Sequence, residues 1–170
     1  MQKIPWYAYI IGVVIILALA YVVVGASSPT VQTGDAVLVN YTGYFANGTV
    51  FGTSAGSAPL NFTVGAGQVI PGFDQAVVGM KVGQEKNITL QPSEGYGAIN
   101  PALIVTVPRS KFGNQSITVG MVVSEIANGQ QAQGLVTKIN ATNVTVNFNS
   151  PLAGKTLIFK ITVVGIHAKS

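Results

Sequence analysis

Between Asp35 and Ser170 one stretch carries the apolar spacing of a helix: PGFDQAVVGM, residues 71–80, with Phe73, Ala76, Val77 and Met80 on one stripe. A helix this short cannot bury its own stripe, so the surrounding strands must supply the second layer. The chain therefore reads as α+β, an antiparallel half-barrel sheet wrapped on one short helix. Two bulky apolar residues, Val69 and Ile70, stand just before the helix, followed by a Pro-Gly turn signal. Their place at the helix mouth calls for a reason.

The strands are legible on either side. AVLVNYTGYF alternates, ANGT supplies a hairpin turn, and VFGTS returns. PLNFTVG and VGQEKNITLQP flank the helix, and KTLIFKITVVGI closes the chain. After SEGYGAINP the texture shifts to short hairpin strands, so residues 100–149 are expected to form a small, mainly-β insert. The main domain then comprises residues 34–99 and 150–168, preceded by a linker over 26–33. The insert strands ALIVTV and GMVVSEI offer more apolar surface than so small a lobe readily buries.

Ahead of the linker, residues 4–25 are almost wholly apolar, and no charge occurs from Ile4 to Gly34. Twenty-two helical residues span roughly 33 Å, close to the hydrocarbon thickness of about 30 Å. Trp6, Tyr7 and Tyr9 would sit at one interface and Tyr21 towards the other. A cleaved signal is the alternative, since Val24-Gly25-Ala26 before Ser27 resembles a small-residue cleavage site. The run exceeds the usual signal core, which favours a retained transmembrane helix. Lys3 and the amino terminus are the flanking positive charges, so the terminus is expected in the cytoplasm and the remaining domains outside.

Seven Asn-x-Ser/Thr sequons, at Asn40, Asn47, Asn61, Asn87, Asn114, Asn140 and Asn143, suit an exported chain bearing N-glycans. They equally suit polar outer faces of strands in a chain that is only 8% charged. Zero cysteines exclude disulfides and thiolate chemistry. The net charge of +4 is scattered, so nucleic acid is not an expected partner.

Reactive groups are scarce. His167 is the only histidine and reads as an exposed tail residue; the carboxylates are Asp35, Asp74, Glu85, Glu94 and Glu125. None forms a helical pair, and Asp74 and Glu85 read as solvated faces. No metal cluster, phosphate loop or catalytic triad is present, so neither a metal nor another cofactor is expected. Plentiful instead are apolar residues beside turns, each singly more often core than site: Tyr41, Phe51, Phe62, Val69, Ile70, Phe73, Tyr96 and Phe159.

The blocks VNYTGYFANGTVF, PLNFTVGAGQVIPGFDQAVVGMKVGQ, EGYG and LIFKITVVGI resemble, in order and spacing, the FKBP-type peptidyl-prolyl isomerases. NPALIVTVPRSKF and NFNSPLAGKTLIF resemble the boundaries of the insert-in-flap domain of the SlyD-like branch, which binds unfolded chain segments. The resemblance implies an apolar proline pocket with Val69 and Ile70 at its lip and Phe73 as floor, where the family often has Trp. It implies Tyr41, Phe51, Leu60, Tyr96 and Phe159 as walls, with the Ile70 N–H and the Tyr96 hydroxyl holding substrate carbonyls. The implied partners are unfolded or partly folded proteins containing X-Pro bonds, and the implied role is folding assistance to exported proteins. Gly52 departs from the pattern, since an Asp often stands there; its absence leaves a catalytically weak binding module as the alternative. The metal-binding tail of some SlyD-like proteins has no counterpart in GIHAKS.

Overall fold

The computed structural model describes residues 28–127 and 130–169. The expected membrane segment, 4–25, lies outside them; no helix among the described residues is long and apolar enough to cross a membrane. Among these residues nine strands and one α-helix follow in order: β1 (Ala36–Phe45), β2 (Val50–Thr53), β3 (Leu60–Thr63), α1 (Pro71–Val77), β4 (Glu85–Leu90), β5 (Ile104–Pro108), β6 (Val122–Ala127), β7 (Gln130–Ile139), β8 (Asn143–Asn147) and β9 (Leu157–His167).

The first sheet is antiparallel, in the order β2-β1-β9-β4. β3 pairs with the first half of β1, and β2 with its second half. β9 lies at the centre because it alternates from Leu157 to Val164: Leu157, Phe159, Ile161 and Val163 are buried on one face. The same face of β1 contributes Val37 and Val39, and α1 covers it with Phe73, Ala76 and Val77. Glu85 on β4 pairs with Lys160 on β9 at 3.0 Å, in place of the free solvated carboxylate that its spacing suggests. Both side chains are about half exposed, so the pair contributes under about 1 kcal/mol. His167, expected in a free tail, is the last residue of β9, exposed and opposite Ala36.

α1 begins where Pro71 presets the first helical φ after an extended Ile70. It ends earlier than the stripe suggests. Val78 is already extended, and Gly79 adopts φ +79°, a conformation in which a side chain would be strained. Met80 therefore lies beyond the helix yet is 1% exposed, because the turn carries it back into the same core. The Gly79 N–H donates to the Val31 carbonyl at 2.9 Å, and the Val31 N–H donates to the Met80 carbonyl at 2.8 Å.

Those two bonds correct the linker. Val31 is 1% exposed inside the main core, and Thr30 forms a bridge with Lys81. Residues 30–33 belong to the sheet domain because a valine has a hydrophobic slot to fill there. Asp35, also buried, accepts from the Gln32 N–H at 2.9 Å and from the Lys169 N–H at 3.1 Å. One carboxylate thus ties the incoming chain to the outgoing one.

The second sheet is β5-β8-β7-β6, around Ile117, Val136, Val144 and Val146. Its two connections to the first sheet run side by side. The Asn100 N–H donates to Asn149 Oδ1 at 2.8 Å, and Asn149 Nδ2 donates to the Asn100 carbonyl at 3.0 Å. Two sequon asparagines have local structural duties. Asn47 Oδ1 accepts from the Thr49 N–H, and Asn140 Oδ1 accepts from the Thr142 and Asn143 N–H groups, each closing a hairpin.

Candidate active site

Phe159 is the centre from which the site is built. Its ring meets Phe73 at 5.3 Å and Phe51 at 5.5 Å between centroids, both edge-to-face, and Tyr41 at 6.3 Å. Tyr41 and Phe73 meet edge-to-face at 5.9 Å. Such pairs contribute about 0.5–1.5 kcal/mol each beyond their buried area, which fixes the rings relative to one another. Phe73 and Phe159 are buried and form a floor. Phe51 can lie across β1 only because Gly43 has no side chain: a Cβ there would fall 2.5 Å from Phe51 Cζ.

Tyr41 is held through its backbone. Its N–H donates to the buried Ser54 Oγ at 2.9 Å, and its carbonyl accepts from the Ser54 N–H at 2.9 Å. Opposite, the loop leading to α1 is braced at two points. The Thr63 N–H donates to Gln68 Oε1 at 2.8 Å, and the Gly65 N–H donates to both Asp74 carboxylate oxygens at 2.9 and 3.0 Å. Asp74 therefore braces this loop, a duty beyond that of a solvated helix face. The Ile70 carbonyl accepts from the Phe73 and Asp74 N–H groups, while its own N–H has no hydrogen-bond partner among the described residues.

Tyr96 follows the 3-10 turn Pro92–Glu94, closed by the Gln91 N–H on Glu94 Oε2 at 2.9 Å. The Gly154 N–H donates to the Gly97 carbonyl at 2.8 Å, bringing the return segment with Leu152 to the same rim. Tyr96 is 45% exposed, so it is an edge of the site rather than part of its core.

Between floor and rim lies a cavity of about 330 Å³, within the usual size of small-ligand pockets. All eight residues named from the sequence line it: Tyr41, Phe51, Leu60, Val69, Ile70, Phe73, Tyr96 and Phe159. Gly52, Gln68 and Leu152 complete the lining. Sequence reasoning assigns nothing to Gln68 and Leu152. Leu152 has one signal, as the single large apolar side chain in the turn SPLAG. Among the described residues no carboxylate, histidine, lysine or arginine lines the cavity; Tyr41, Gln68 and Tyr96 are its hydrogen-bonding side chains. At Gly52 an added side chain would meet open space, the nearest atom to its Cβ being Tyr41 Oη at 4.0 Å.

Comparison with known proteins bears on this geometry. The family of FKBP-type peptidyl-prolyl cis-trans isomerases matches residues 28–164. A probable FKBP-type 16 kDa peptidyl-prolyl cis-trans isomerase of Pseudomonas fluorescens is 35% identical over 72% of this chain and 82% of its own length. The FKBP-type 16 kDa isomerase of Escherichia coli is 34% identical over 82% of this chain and 95% of its own. The isomerase SlyD of Helicobacter pylori is 34% identical over 71% and 66% respectively. The match spans both halves of the first sheet, α1 and the intervening second sheet. This chain belongs to the FKBP-type peptidyl-prolyl cis-trans isomerases.

Proposed function

We propose that the aromatic cavity accelerates X-Pro isomerisation in unfolded exported proteins by favouring the twisted amide, with no proton transfer or covalent step. Rotation about the amide faces about 18–20 kcal/mol because resonance is lost at the perpendicular geometry. The twisted amide is less dipolar than the planar one, so a dry apolar wall penalises it less. A surface complementary to that geometry lowers the barrier by differential binding alone. Phe73 and Phe159 would receive the proline ring, and Tyr41, Phe51, Leu60 and Val69 would exclude water. The Ile70 N–H would hold one substrate carbonyl and the Tyr96 hydroxyl a second. The observation that carries this reading is the lining itself: mostly apolar, without an acid or base, and with an Ile70 N–H unpartnered among the described residues.

The second sheet, in this reading, captures the client. β6 and β5 are edge strands, and Leu103, Ile104, Val105, Met121 and Val122 are exposed around them. An extended client strand adds to such an edge through main-chain hydrogen bonds, which demand no particular sequence. A chain held there stays at high effective concentration beside the cavity. Residues 4–25 would hold the enzyme in the membrane with its folded domains outside. The acceptor asparagines at 40, 47, 61, 87, 114 and 140 are exposed and open to N-glycans, whereas Asn143 is half-buried.

Replacing residues 100–149 by a short loop tests the division of labour. Short-peptide isomerisation is expected to stay within a few-fold while catalysis of proline-limited refolding falls sharply. Undiminished refolding catalysis would make the insert a structural appendage. Gly52 favours a second reading, a weak isomerase that mainly binds, because the cavity wall lacks a carboxylate beside Tyr41.

A further inference from the structure

The docked segment before β1 fixes where the enzyme stands relative to a membrane. Gly25 ends the apolar run, and Thr30 is already bridged to Lys81, with only residues 26–29 between them. Five residue steps reach at most about 18 Å. Crossing the headgroup layer uses about 6 Å of that. The part of the domain around Thr30 and Lys81 is therefore held within about 12 Å of the headgroups.

That part has an unusual surface for a turn. Val78 is 45% and Val82 54% exposed, on either side of the Gly79–Met80 pair that grips Val31. The Gly83 N–H donates to the Val163 carbonyl at 2.7 Å, so this turn meets β9 one residue before the exposed Val164. The exposed Lys81 precedes Val82 in the turn, and the exposed Lys169 follows the end of β9. Of the nearby carboxylates, Asp35 is buried in hydrogen bonds to backbone N–H groups and Glu85 is paired with Lys160. Apolar side chains with exposed lysines suit the boundary between acyl chains and headgroups.

We infer that this end of the sheet domain, the Val78–Gly83 turn with Val164, rests on the bilayer that holds residues 4–25. The inference depends on the reading of that run as a retained anchor. It also orients the enzyme. Val31 docks at the C-terminal end of α1 and the cavity lies at its N-terminal end, about 10 Å further along seven helical residues. The insert leaves the sheet beyond the cavity rim. The order away from the membrane is turn, cavity, insert.

The cysteine-free chain permits a direct test. Full-length protein carrying Val82→Cys or, on the insert, Val119→Cys is labelled with an environment-sensitive fluorophore. Each is reconstituted in phosphatidylcholine–phosphatidylglycerol vesicles containing lipids with a spin label near the headgroup. Both positions are exposed, so labelling leaves the cores intact. The protein is expected to float with the vesicles, with the probe at 82 blue-shifted and quenched at least twofold more than the probe at 119. Equal quenching at the two positions in floating protein overturns the contact alone. Protein that does not float overturns the anchor reading and the contact with it.

Discussion

At Gly52 the cavity wall carries no side chain, and the free space beside it faces the Tyr41 hydroxyl, 4.0 Å from where a Cβ would stand. An Asp introduced there has room for its carboxylate within reach of that hydroxyl. A charge-assisted hydrogen bond of this kind contributes about 1.5–3 kcal/mol and would hold the Tyr41 ring in place. Gly52→Asp is therefore expected to preserve or raise short-peptide turnover, as read by kcat/KM. A clear fall would mean that the backbone freedom or openness of Gly52 is itself required. At this scale the sequence is most legible for large apolar side chains beside turns, because a fold with one helix must bring them together. Gln68 is opaque because its role is a hydrogen bond to Thr63 across a loop, which no spacing rule announces. Asp74 is hidden for the same reason: its partner, the Gly65 N–H, lies nine residues away through an irregular loop.

Among the elements, α1 and the segment before β1 depend on one another. Spacing locates the stripe from Phe73 to Met80, but periodicity cannot see that Gly79 leaves the helix to meet Val31. The segment ASSPTVQTG has linker composition, with one valine amid small and polar residues, so its docking is not legible either. Burial decides the matter. Val31→Ala removes two buried methyl groups and leaves a small void, a loss of about 2 kcal/mol. Thermal unfolding is expected to fall by roughly 5–10 °C. A shift no larger than that of an exposed surface substitution would show that residues 30–33 behave as a linker after all. The long strands are legible in contrast: β9 alternates from Leu157 to Val164 and β1 buries Val37, Val39 and Gly43, and that alternation sets their buried faces up to the bulge opposite Leu38 and Val39.

For the molecule as a whole, one domain supplies a rigid aromatic cavity and the other a second sheet, joined at the Asn100–Asn149 clamp. The break in sequence texture after Tyr96 marks that division, since each sheet needs its own apolar alternation and its own core. Family membership accounts for the reaction; in the proposed reading the lining lets it proceed without an acid or a base. The measurement that bears on this most directly is the rate of cis–trans exchange in a short proline peptide, followed by NMR with the full chain in detergent. Parent, Tyr96→Ala and Phe159→Ala are compared at a temperature where circular dichroism shows all three folded. One substitution removes part of the cavity's rim and the other part of its floor, and each is expected to lower kcat/KM several-fold or more, with a solvent deuterium isotope effect near unity throughout. Equal turnover in the parent and both variants would contradict the account, because the cavity around Phe159 would then not be where the proline bond turns.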